Sequence, residues 1–161
     1  MAASVPWILG ARGAPLEAPE NTRAGFATAL ALGLDGIATD LRSCGSGEIV
    51  VTADLELERT TDGHGLVAEK PWTELAGLDA GAAFHARFRG ERLLLAEELL
   101  ALSALHGPAS SLVARAHGPE VVARFADLAR EIAPRASVRL AATERETVLA
   151  ARDAGLRKSP R

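Results

Sequence analysis

The chain has 161 residues, 48% of them hydrophobic and 24% charged, with a formal net charge of −3. That is the composition of a folded globular protein, and a chain of this length buries roughly 70% of its unfolded surface, enough for one solid core. The absence of a basic cluster argues against nucleic acid and anionic membrane surfaces as partners, no apolar run approaches the roughly 18 residues of a membrane span, and the single cysteine, Cys44, rules out an internal disulfide. The opening stretch M-A-A-S-V-P-W-I-L-G has neither a basic n-region nor a long apolar h-region. The expected location is therefore cytoplasmic.

In chain order, Val5–Ala11 reads as a first strand, followed by a loop punctuated by Pro15 and Pro19. Asn21 or Thr22 can cap a helix running to about Leu32, with Phe26 and Leu30 on its apolar stripe and Gly33 as its stop. Gly36–Arg42 is the second strand, Cys44–Gly47 a turn and Ile49–Thr52 a short extended piece. Leu55–Leu78 is mostly irregular, with turn chemistry at Thr60-Thr61-Asp62-Gly63 and a helical turn over Trp72–Leu78. Leucines at 95, 99, 102 and 105 predict a helix over Leu95–His106, stopped by Gly107-Pro108.

Ser110–Arg115 is a third strand. Gly118-Pro119 opens the next helix, because proline at the first position gives up an N–H that has no partner there. Val121, Phe125, Leu128 and Ile132 form its buried stripe and Pro134 ends it. Ser137–Ala142 is a fourth strand. Thr143 and Glu146 have capping-box spacing for a last helix that runs to about Ala154 and stops at Gly155, ahead of a frayed tail over Arg157–Arg161.

Alternating strands and helices imply parallel strands joined by helical crossovers. About four strand–helix units fit, with an insertion after strand two, in one domain spanning residues 1–161. A complete eight-stranded barrel takes about 250 residues and rarely under 200, so the expectation is a half-barrel or a short open α/β sheet.

Four runs then stand in a fixed order: A-R-G-A-P-L-E-A-P-E-N-T, G-L-D-G-I-A-T-D-L, V-V-T-A-D-L-E-L-E-R-T-T-D-G-H-G and G-E-R-L-L-L-A-E-E-L-L. Together, over roughly the first hundred residues, they resemble the glycerophosphodiester phosphodiesterase family. The resemblance implies an incomplete TIM-type (β/α) barrel with its site at the carboxyl ends of the strands. It implies a chemistry in which two histidines move protons and an arginine binds the phosphate. Carboxylates there hold a divalent cation such as Ca²⁺ or Mg²⁺, ions that suit hard oxygen ligands.

Carried over residue by residue, the two histidine positions are Ala11 and Ala53, and the phosphate-binding arginine is kept as Arg12. The first metal carboxylate is replaced by Ala38 and the second survives as Asp40. The family's third metal carboxylate lies in a strand resembling N-x-E-x-K, where S-L-V-A-R offers no acid in either register. Alanine has no proton to give and no lone pair for a metal. The expectation is accordingly a catalytically degenerate member with no catalytic residue of the family kind and no cofactor. Arg12 would be its phosphate-binding residue and Asp40 a remnant metal ligand, with Glu20, Asp54 and His64 elsewhere in the cleft.

Two other readings stand beside it. One is an active phosphoric diester hydrolase that releases glycerol 3-phosphate and an alcohol with a substitute base such as His64. The other is an assembly module, in which a half-barrel with open strand edges and an apolar face pairs with a second copy. The partners implied are a phosphate-containing small molecule and a homo-oligomer.

Overall fold

The structure is a computed structural model that describes residues 6–106 and 110–156. Val5, the Gly107-Pro108 stop and the tail at 157–161 lie outside the described residues.

The first strand, β1, is Leu9–Ala11 and not the longer run from Val5. Ahead of it, Ile8 exchanges hydrogen bonds with Asp35, its N–H donating to Oδ2 at 2.8 Å and its carbonyl accepting from the Asp35 N–H at 2.9 Å. Pro6 has no N–H to donate to a ladder. Helix α1 spans Arg23–Ala31 and is capped by Thr22, whose buried Oγ1 accepts from the Gly25 N–H at 3.1 Å and donates to the Pro19 carbonyl at 2.7 Å. Gly33, at φ +78°, turns the chain out of the helix.

Strand β2, Gly36–Ser43, is central. It pairs in parallel with β1 on one side and with β4, Ser111–Ala116, on the other. The short strand β3, Ile49–Val51, pairs antiparallel with Leu41–Ser43 on the edge where β1 has ended. Strand β5, Ser137–Ala141, runs parallel to β4. The order is β1-β2-β4-β5, with β3 off this path on β2. Gly36 is required where β2 meets β4: a Cβ there would lie 1.9 Å from the Ser111 carbonyl oxygen. Helices α3 (Ala96–Leu105), α4 (Pro119–Ile132) and α5 (Arg145–Asp153) complete a parallel α/β sheet with helical crossovers, the predicted fold class.

The insertion between β3 and α3 contains α2, Trp72–Leu75, and two short 3₁₀ turns. It has its own small core of Cys44, Val50, Leu57, Val67, Leu75 and Leu93. Its turns are tied by Asp79, whose carboxylate accepts from the N–H groups of Ala82, Gly81 and Gly90, which hold its pKa below the usual value.

The capping box expected at Thr143 is not formed. The N-cap is Glu144, one residue later, and its carboxylate accepts from the Thr147 hydroxyl at 3.0 Å. The reciprocal half of such a box appears instead at α3, where the Glu98 carboxylate accepts from the Leu95 N–H at 3.0 Å.

The two faces of the sheet differ. Ile37, Leu41, Leu112, Ala114 and Ala116 are buried against the helices, together with Phe26, Leu99, Val121 and Phe125. The alternate residues face the other way. There the register sets Asp40 opposite Arg115 and Val113 opposite Arg139. The expectation of an apolar open face is thus corrected: this face carries ion pairs and half-exposed small residues.

Candidate functional site

The carboxyl ends of β1, β2, β3 and β4 come together at one end of the open face. Two rows of residues make up the site. In the lower row, Ala11, Ala38 and Val113 lie side by side on three neighbouring strands. All three side chains are alkyl, so this row offers neither a proton carrier nor an oxygen ligand.

The upper row is charged. Asp40 is buried at 5% exposure, with two hydrogen-bonding partners and a third group at ion-pair distance. His117 Nε2 lies 3.0 Å from its Oδ1, Arg115 donates through one terminal nitrogen to the same oxygen at 3.3 Å, and Arg12 Nε lies 3.7 Å from Oδ2. Since a carboxylate only accepts, His117 carries a proton on Nε2 in this contact. Its other ring nitrogen is 4.0 Å from Glu144.

Arg12 reaches this row because its backbone is left-handed, φ +59°, which turns the residue after Ala11 back toward the cleft. The conformation is fixed on both sides: the Arg12 N–H donates to the Ala38 carbonyl at 2.6 Å and its carbonyl accepts from the Asn21 N–H at 3.0 Å. Asn21 is itself left-handed, and its buried side chain accepts from Thr39 at 2.7 Å.

Arg12 also donates to Glu20 at 3.2 Å. Glu20 in turn takes both terminal nitrogens of Arg59, at 2.9 and 2.6 Å, while Arg59 Nε binds Asp54. The Arg59 fork is the main cause that pulls the Glu20 carboxyl below its ordinary value, and Glu20 and Asp54 push the Arg59 guanidinium up. Arg42 clamps the backbone at the second family histidine position. Its Nε and a terminal nitrogen both donate to the Ala53 carbonyl, at 2.9 and 2.7 Å. Burial lowers the Arg42 pKa, with carboxylates led by Asp40 opposing.

The structure therefore brings Arg12, Glu20, Asp40 and Asp54 into one network. His64 makes no hydrogen bond or ion pair to these four. It is exposed, and its Nδ1 lies 3.8 Å from Glu58. The residues that sequence reasoning did not place in the site are Arg42, Arg59, Arg115, His117 and Glu144. Arg115 alternates with Val113 along β4, so the two share a face, but nothing in the sequence pairs Arg115 or His117 with Asp40.

Comparison with known proteins gives the scaffold its family. A family model described as the glycerophosphoryl diester phosphodiesterase family matches residues 12–148. The chain belongs to that family. Among curated relatives, the glycerophosphodiester phosphodiesterase of Caldanaerobacter subterraneus subsp. tengcongensis is 41% identical over 86 residues, which is 53% of this chain and 35% of that protein. Among solved structures, the glycerophosphodiester phosphodiesterase of Agrobacterium tumefaciens superposes with a TM-score of 0.84 at 27% identity, covering 94% of this chain and 64% of that one. An Oleispira antarctica phosphodiesterase, solved in complex with the product sn-glycerol-3-phosphate, gives 0.87 at 25%, covering 92% and 62%. The fold is therefore TIM-barrel-like. The chain spans less than two thirds of these solved structures, and its match covers about a third of the curated relative's length.

The divalent cation implied by the family does not fit the residues present. Hard cations take six to eight oxygens in the case of Ca²⁺, several of them from carboxylates. Here Ala38 and Val113 contribute none, and Asp40, the one carboxylate kept at the family's metal positions, already faces two guanidinium groups and an imidazole N–H. Among the described residues, no three His, Cys, Asp or Glu side chains converge where a metal ion could be held. No helix among them is long and apolar enough to cross a membrane.

Proposed function

We propose that this chain is a non-hydrolysing member of the glycerophosphoryl diester phosphodiesterase family that keeps a site for a phosphate ester. The observation that carries this reading is the alkyl row Ala11–Ala38–Val113, together with Ala53 at the second histidine position: none of these side chains can take or give a proton. A positioned acid or base typically supplies about 10²–10⁴-fold in rate, and this set acts as a unit in which losses do not simply multiply.

Arg12 supports the binding half of the proposal. It is partly exposed at the cleft rim, and its planar guanidinium offers the donor fork that suits a phosphate. Beside it, a cleft of about 190 Å³ opens over Glu20 and Arg59, walled by Pro15, Pro19, Ala83 and Phe84. The relative from Oleispira antarctica, which carries sn-glycerol-3-phosphate, supplies the ligand class. No cofactor enters this proposal.

Calorimetric titration with glycerol 3-phosphate tests it. Saturable heat is expected from the wild type, with at least a tenfold weaker response from Arg12→Ala. Undiminished binding by that variant, or no binding by the wild type, would remove Arg12 as the anchor.

A further inference from the structure

We propose that Arg115 and His117 fill, from within the chain, the role on Asp40 that a divalent cation would otherwise have, so that the cleft is folded and electrostatically complete without metal. This goes beyond phosphate binding and does not depend on it.

The Asp40 side chain is 7% exposed, and a carboxylate so far out of water needs an opposite charge and donors close by. Arg12 alone is a poor source: it sits 3.7 Å away and is shared with Glu20 at 3.2 Å. The two closer partners come from β4 and from the residue just past its end. The β2–β4 register puts Arg115 directly opposite Asp40, and His117 is held beside β2 by its N–H, which donates to the Leu41 carbonyl at 3.1 Å. Both contact Oδ1, at 3.3 and 3.0 Å.

Val113 sits beside Ala38, where a cation would need oxygens, and neither supplies one. A Ca²⁺ or Mg²⁺ ion at Asp40 would have one carboxylate oxygen free and two guanidinium groups as neighbours. Its desolvation would go uncompensated and it would be repelled by fixed charge.

The test uses the full chain and unfolding midpoints, with no substrate. The wild-type midpoint is expected to be the same in EDTA, CaCl₂ and MgCl₂. A double-mutant cycle then separates pairing from mere proximity. Arg115→Met is expected to lower the midpoint by several degrees in the wild-type background and to have almost no effect in the Asp40→Asn background. Should Arg115→Met fail to fold, His117→Gln runs the same cycle. A midpoint raised by either metal in the wild type would overturn the proposal. So would a loss on substitution that is equal in the two backgrounds, since the side chain would then not be acting through Asp40. Failure of phosphate binding with this cycle intact would leave Arg115 and His117 in place and remove only the ligand.

Discussion

The two faces of the sheet answer to different constraints. On the helix side, Ile37, Leu41, Leu112 and Ala114 are packed against Phe26, Leu99, Val121 and Phe125, and any change of volume is felt. On the open side, alkyl residues replace chemistry in the lower row, and an ion-pair network of Arg12, Glu20, Asp40, Asp54, Arg59, Arg115 and His117 forms the upper one. Under the proposed reading, folding draws on one face and the site on the other, so the frame can persist while the family's histidine positions do not.

Adjacent residues of β4 give the sharpest contrast. Leu112 is fully buried on the helix side, so Leu112→Ala is expected to cost about 2–5 kcal/mol in urea unfolding. Val113→Ala, on the half-exposed cleft side, is expected to cost less than about 1 kcal/mol. Equal losses would mean that the open face is packed after all.

Asp40→Asn is expected to cost about 1–2 kcal/mol. Removing one partner of a buried pair commonly costs more, but Arg12 and Arg115 are 39% and 52% exposed, so water takes up much of the released charge. A similar loss, about 1–2 kcal/mol, is expected for Thr22→Ala. It removes the buried cap of α1 and, with it, the hydroxyl bond that ties the Pro19 turn to the helix.

A smaller effect should appear with pH. The Glu20 carboxyl is lowered from its ordinary value of 4.5, chiefly by Arg59. Between the two values the unfolded chain binds more protons than the folded one. The stability Glu20 contributes is therefore fully present above about pH 4.5 and is lost as pH falls through its lowered folded value. Arg59→Gln should flatten that part of a stability-versus-pH curve. An unchanged acid limb would show that the Glu20–Arg59 pair does not couple to folding.

Most of the helix-side face could be read from the sequence. The stripe of Val121 and Phe125, the Thr22 cap and the Gly33 stop are local signals, and each is where periodicity and capping chemistry place it. The ordered motifs also brought Arg12, Glu20, Asp40 and Asp54 to one end of the sheet. The partners of Asp40 were not legible. Arg115 and His117 meet it from 75 and 77 residues away, and only strand register puts them there. The Thr143 box failed for a related reason: its spacing is right, but the helix begins at Arg145 with Glu144 turned toward Thr147 and His117. His64 is 86% exposed and its one recorded polar neighbour is Glu58, at 3.8 Å.

The central claim is that the frame remains while hydrolysis is gone. Release of glycerol 3-phosphate from a glycerophosphodiester, measured with added Ca²⁺ or Mg²⁺ against heat-killed protein, tests it most directly. The predicted result is a rate no different from the heat-killed control with either metal. Turnover well above that control, lost when Asp40 is changed to Asn, would contradict it.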